Sequence, residues 1–338
     1  MEHSIYYLLK MIGKIITVLL LCQCSMTEAG AQTSGSKSRN YNIGLIYPLS
    51  TNGRRADTCT NDLSLHAIAG LSKAERGLVL AGMVNVVLDT AAGLQVGGFA
   101  NVLGSSRGTS IAGFGNICRR DASGVQVAGF VNTAANAGVQ VGGFVNRSAD
   151  VTTQVAGFIN VAKKVRGVQI AGFINIADSS DNPIAIFNFI KKGELSVGVS
   201  TDETLTTLAS FRSGGRNLYG IAGIGYNHKG RRELAAWEAG LGAHLLSGPY
   251  FRLNIELVTG GLTDFKNGDL LRSTLRVLPA CHLTRRLELF AGPDFNYFYS
   301  NKGQGIDLRS HYLWNKTKNN SDSYGLYFGF TAGVAVRI

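Results

Sequence analysis

A chain of 338 residues with 43 glycines, five prolines and prominent Val, Ile, Phe and Tyr points to an all-β protein. Its formal charge of +11 is dispersed in short groups such as Arg119-Arg120, Lys163-Lys164 and Lys191-Lys192, without the basic stripes and interleaved aromatics of a nucleic-acid binder. Such turn charges suit solvated loops that meet outer-membrane lipid, an anionic polysaccharide or a host surface ligand.

The N-terminus places Lys10 and Lys14 before a short apolar run at residues 15–22, followed by Ala29-Gly30-Ala31. Positive flank, short greasy core and small-x-small site read as a secretory signal peptide over residues 1–31, and the run is too short to span a bilayer as a helix. Cleavage after Ala31 leaves a polar linker over residues 32–40. Acylation at Cys22 is the alternative, with Leu21 and Gln23 as poor neighbours for it. The remaining Cys59, Cys118 and Cys281 are odd in number and widely spaced, so they form neither a disulfide framework nor a zinc motif.

Residues 41–76 hold the first candidate strands, beginning with Tyr41-Asn42-Ile43-Gly44-Leu45-Ile46-Tyr47. Over residues 77–190 a phrase of the form Val-Gln-Val-Ala-Gly-Phe-Val-Asn recurs seven times. Its anchor glycines are Gly82, Gly98, Gly113, Gly129, Gly143, Gly157 and Gly172, at steps of 16, 15, 16, 14, 14 and 15 residues. A fixed period of this kind is a structural unit before it is a chemical one. From Val168 to Ala177 the phrase alternates without a slip, Val and Ile on one face and Gln169, Ala171, Phe173 and Asn175 on the other.

Two architectures fit a 15-residue unit: antiparallel strands, one per repeat, in a barrel or meander, or a parallel solenoid with one coil per repeat. Ten straight residues cover about 33 Å, more than about five residues can retrace, so a solenoid requires a corner at the central glycine pair. Unbroken alternation favours the antiparallel arrangement, which brings Gly157 beside Gly172 in opposite directions. The recurring Asn132, Asn146, Asn160 and Asn175 favour the solenoid, where they stack as an amide ladder.

The phrase Gly-Val-Gln-Ile-Ala-Gly-Phe-Ile-Asn-Ile-Ala at residues 167–177, with the early segment at residues 41–53, resembles the bacterial surface-repeat proteins. The resemblance covers about half of the chain after the leader, and Phe187-Asn188 looks like a decayed further copy. It implies an exported envelope protein of no established activity, at the outer membrane or cell surface, and supplies no catalytic residue.

Residues 191–338 alternate in longer strands. Phe251, Leu253, Ile255 and Leu257 oppose Arg252, Asn254 and Glu256, and Leu326, Phe328, Phe330, Val334 and Val336 oppose Tyr327, Thr331 and Arg337. Apolar outside with polar or small inside is the pattern of an outer-membrane barrel strand. Short connections at residues 247–249 and 284–286 contrast with the long polar segment at 301–323, and Tyr297, Tyr299, Tyr312, Trp314 and Tyr324 suit an interfacial girdle. Pairing residues 41–47 with the last strand would close one barrel of roughly 16 to 18 strands. The row Phe99 to Phe173 resists this, since it would line a wet lumen. A β-solenoid followed by a C-terminal barrel domain is the alternative.

No HExxH, nucleophile elbow, P-loop or paired CxxC occurs. Gly220, Gly223 and Gly225 suit barrel packing better than a nucleotide loop. The best constellation is Glu238 and His244 on one strand with Arg252 and Glu256 on the next, which could do acid–base work or simply neutralise itself. Cys281 and His282 point to opposite faces and make no nucleophile–base pair. The sequence therefore predicts no catalytic, cofactor-binding or metal-binding residue. It favours a non-enzymatic envelope protein with a structural or adhesive role over an outer-membrane channel or a barrel hydrolase.

Overall fold

The computed structural model describes residues 37–229, 234–263, 265, 269–301, 311–318 and 322–338. The leader and the Cys22 alternative lie outside these residues. The described chain is all-β, a parallel β-solenoid of about 9 turns followed by a closed eight-stranded barrel.

Each repeat forms one coil containing two strands. Ala122–Ala128 lies parallel to Asn136–Gly142, and Val131–Thr133 lies parallel to Val145–Arg147. The expectation of one antiparallel strand per repeat is therefore wrong: Gly157 does lie beside Gly172, but the coils run in the same direction. The chain turns at the glycine–phenylalanine step. From Gly98 onward an added Cβ at each anchor glycine would overlap the carbonyl oxygen of the anchor one coil earlier, as at Gly143 over Gly129 and Gly157 over Gly143, and at Gly82 it would overlap Ala67 O. Only glycine permits that approach.

The corner also explains why parity misled. Gln140 and Gly142 face the coil interior, Gly143, Phe144 and Val145 all lie on the outside, and Asn146 returns inward. An even number of positions separates Gly142 from Asn146, so the alternation survives a bend. Phe144 shares the parity of Asn146 yet sits on the apex of the corner.

The coil interior is built from alanine, asparagine and glutamine, with two apolar clusters that include Val87, Leu103, Val151, Val165 and Ile190. Gln126, Gln140, Gln154 and Gln169 are almost fully buried, as are all the repeat asparagines, while the alternating Val and Ile stay half-exposed. The Nδ2 of Asn85 donates to Asn101 Oδ1 at 2.8 Å, and the same link runs through Asn116, Asn132, Asn146, Asn160 and Asn175 to Asn188 at 2.8–3.1 Å. The second proton of Asn146 reaches Val155 O at 2.7 Å. Gln140, Gln154 and Gln169 form a companion ladder of opposite polarity, each Nε2 donating one coil back at 2.8–3.0 Å. Buried amides are tolerated because the stack supplies their partners.

Residues 41–47 do not pair with the last strand. All but Tyr47 belong to Lys37–Ile46, which lies parallel to Cys59–Ser72 as the first coil, with Leu49–Ser50 antiparallel on part of its other edge. The 16- to 18-stranded barrel is thus replaced by two architectures in series. The Phe row lines no lumen. Phe99, Phe114, Phe130, Phe144, Phe158 and Phe173 stack outside the solenoid at centroid spacings of 4.9–5.2 Å.

The barrel strands are Glu194–Asp202, Thr206–Gly214, Leu218–Asn227, Leu234–Ser247, Phe251–Thr263, Asp269–His282, Leu287–Ser300 and Asp322–Arg337, antiparallel throughout, with the first and last paired. Following the register from Val197 across the sheet through Phe211, Ala222, Ala239, Thr259, Ser273 and Tyr297 ends on Leu326. The closing pair instead joins Val197 to Val336, a stagger of ten residues. Ten residues at ~3.3 Å over eight strands at ~4.7 Å give a tilt of about 41°, within the range of closed barrels.

The expected faces of the last strands hold. Leu257 and Phe330 are exposed on the outside, while Glu256 and Thr331 are buried in the lumen. Among the described residues, no outward position is charged between Leu195 and Thr201, Thr207 and Ser213, Leu218 and Tyr226, Ala235 and Leu245, Phe251 and Thr263, Leu271 and Cys281, Leu287 and Tyr299, or Tyr324 and Val336.

Candidate functional site

Every charged side chain of the middle barrel strands turns into the lumen, where strand parity and tilt stack them in layers. In the central layer, Arg276 Nη2 lies 2.8 Å from Glu238 Oε2, and Arg212 Nε lies 2.8 Å from Glu256 Oε1. Arg276 also reaches Glu256 at 3.5 Å, Ser210 donates to Glu238 at 2.6 Å, and the Tyr219 hydroxyl donates to Glu256 at 3.1 Å. Gly223 makes room, since a Cβ there would press on the Glu238 side chain. The arrangement is a buried ionic lattice in which each carboxylate faces a guanidinium.

A second layer lies toward the short-turn rim. Arg252 grips Glu194 with two bonds, Nη1 to Oε1 at 2.8 Å and Nη2 to Oε2 at 2.9 Å, and approaches Glu288 at 3.5 Å. Arg337 reaches Glu194 at 3.2 Å, and His282 Nε2 lies 3.1 Å from Glu288. His244 Nδ1 is 2.7 Å from Asn254 Oδ1, and its ring stacks on Tyr219 at 4.6 Å. These groups line a cleft that also takes in Arg285 and Arg286 of the rim turn. Toward the other rim, Leu208, Leu234, Leu262, Leu270, Phe298 and Tyr327 form an apolar plug.

Glu238, His244, Arg252 and Glu256 therefore share the lumen, as their parity implies, but not as one cluster. Glu238 and Glu256 belong to the central lattice, and His244 and Arg252 to the rim layer. Among the described residues, no hydroxyl or thiol is hydrogen-bonded to the His244 ring: the Tyr219 hydroxyl donates to Glu256, Ser210 is bonded to Glu238, and Cys281 is exposed on the outer face opposite His282. Sequence reasoning missed Arg212, Arg276, Glu194 and Glu288, although their lumen parity was available as a signal. Tyr312, expected in an interfacial girdle, packs against the apolar plug instead. Tyr297 and Trp314 are exposed, and Tyr299 and Tyr324 pair at 5.0 Å.

A smaller polar cluster closes the N-terminal end of the solenoid. Glu75 Oε1 accepts from Asn61 at 2.9 Å and Ser64 at 2.6 Å, and burial pushes this carboxyl above its ordinary value. His66 fills the space beside Gly70, where the asparagine column stops, and burial lowers its pKa. Burial likewise raises the Cys118 thiol, consistent with a filler role. Among the described residues, no group of three His, Cys, Asp or Glu could hold a metal ion.

The solenoid ends on the barrel wall. Asn188 N–H donates to Ser213 Oγ at 2.9 Å and Asn188 Nδ2 to Ser213 O at 3.2 Å, so a barrel strand terminates the asparagine ladder. Asn217, in the following turn, donates to Asp181 O at 3.1 Å and to Asn182 Oδ1 at 3.0 Å. Comparison with protein-family models, characterised proteins and solved structures gives no match for this chain.

Proposed function

We propose that this chain is a non-enzymatic outer-membrane protein whose barrel anchors a β-solenoid in a structural or binding role. The carrying observation is that, among the described residues, the strand exteriors of the closed barrel carry no charge around an ionic lumen. A soluble protein would place its charges the other way, whereas lipid demands a closed sheet with an apolar outside. The leader-like N-terminus supports export.

The two rims differ in a way that supports an orientation. Connections at residues 215–217, 248–250 and 283–286 are short, whereas on the other rim 203–205 is as short but 228–233, 264–268 and 301–321 are longer. Outer-membrane barrels keep short turns in the periplasm. The solenoid joins the short-turn rim, so in this reading the repeats are periplasmic and the longer connections face outward. Turn cations such as Lys163, Lys164 and Lys192 suit an anionic envelope polymer. A channel role is disfavoured by the central lattice and apolar plug, and a hydrolase role by the carboxylates held against arginines.

The test is fractionation of the full chain expressed with its leader. Recovery in outer membranes after alkaline washing, and folding into lipid vesicles, is the expected result. A detergent-free soluble monomer that leaves vesicles untouched would overturn the reading.

A further inference from the structure

The geometry points to the stacked phenylalanines as a second membrane contact: a keel along which the solenoid lies in the boundary of the same bilayer leaflet, its rings meeting lipid acyl chains. This rests on the membrane-barrel reading above. Continuity with the barrel exterior carries it. The last coil meets the barrel in a fixed order from rim to belt. Asp181 and Asn182 are held by Asn217 in the short turn, Asn188 is held by Ser213 above it, and the Phe187 ring lies 6.3 Å from Phe211 above that. Phe211 faces outward two positions further from the turn than Ser213. The phenylalanine corner is thus the part of the coil turned toward the barrel's apolar exterior.

Phe187 meets Phe173 edge-on at 5.5 Å, and beyond it the corner keeps its place along the stack. From Phe99 to Phe173 successive rings differ by only 5–11° in plane, over roughly 24 Å for five steps of ~4.8 Å. Phe99 is 49% exposed and Phe144 39% exposed, and the row that holds Val141 and Ile170, on the strands leading into the corner, adds apolar surface beside it. The ion pairs Arg120–Asp89, Arg166–Asp150 and Lys191–Asp178 sit at the turns and the strand ends beside them. An apolar stripe this long marks a contact surface, and one apolar edge opposed by a charged edge is how an interfacial element lies in a membrane.

The experiment places single tryptophans in the full chain carrying Trp237→Phe and Trp314→Phe, folded into vesicles of lipids brominated along the acyl chain. Phe144→Trp on the keel should emit in the blue and lose most of its emission, as should Ile255→Trp on the barrel exterior, while Ala135→Trp in a turn should not. Quenching at Ile255→Trp with none at Phe144→Trp overturns the keel and leaves the membrane barrel standing. Absence of quenching at both overturns the barrel reading and the keel with it. A blue-shifted but unquenched Phe144→Trp, with disulfide-linked dimers formed by Phe144→Cys in a Cys281→Ser background, assigns the stripe to a second copy and also overturns the lipid contact.

Discussion

Replacing Asn146 by alanine removes one rung from the middle of the asparagine ladder, and its cost can be read from the bonds it breaks. Asn132 Nδ2 loses the acceptor it reaches at 2.9 Å, and Asn160 Oδ1 loses the donor that reaches it at 3.0 Å. Val155 O also loses its 2.7 Å side-chain donor. All three asparagines are fully buried, so neither orphan can turn to bulk water. At about 1–3 kcal/mol for each unsatisfied buried group, Asn146→Ala should destabilise the solenoid by about 2–5 kcal/mol, the lower figure applying if a water enters the gap. Asn85→Ala is the internal control, because Asn85 Oδ1 accepts no bond, so its loss takes a donor from Asn101 Oδ1 and Val96 O but orphans no donor. Its cost should be about half, about 1–2 kcal/mol, since an under-satisfied acceptor is tolerated better than a donor. Hydrogen exchange on the full protein reads both, through loss of amide protection around residues 131–175 for the first and 85–101 for the second. Equal protection in Asn146→Ala and the parent, or a larger loss for Asn85→Ala, would refute the ladder as a source of stability.

Leu257, on the barrel exterior, should tolerate arginine poorly: Leu257→Arg should cost about 2–4 kcal/mol of vesicle-folded stability, measured by urea titration, whereas Thr152→Arg on an exposed coil position should be near neutral. Ser213→Ala removes the acceptor of the Asn188 N–H and should weaken solenoid docking by about 1 kcal/mol, seen as faster proteolysis near residues 191–193. His66, lowered from 6.5, favours its neutral form in the fold, so its contribution is present above pH 6.5 and is lost as pH falls through the lower folded value. Glu75 runs the other way: raised from 4.5, it contributes below that value and loses the contribution as pH rises through the folded one. Thermal melts against pH should therefore lose part of their acid-side slope in His66→Gln and change in the opposite sense in Glu75→Gln.

The period of the repeat, its β character and the faces of the barrel strands were all legible in the sequence, because parity within one strand is a local property. That Leu257 and Glu256 lie on opposite faces follows from alternation alone, as it does for Cys281 and His282. Local pattern could not decide whether the chain runs straight or bends at Gly143-Phe144. A three-residue outward corner keeps the same parity as an uninterrupted strand, and the constraint that selects it is the glycine carbonyl one coil away. Nor could it assign the inside of the repeat. Asparagine and glutamine are buried only because neighbouring coils supply amide partners at a spacing of about 4.8 Å, which no single repeat contains. The partners of the lumen charges were hidden for a related reason: Arg276 finds Glu238 across the barrel interior, a distance in sequence of 38 residues set by closure and stagger. Sequence by itself determined which residues share a face, and tertiary structure decided which face is inside, because burial depends on what the rest of the chain brings to the other side.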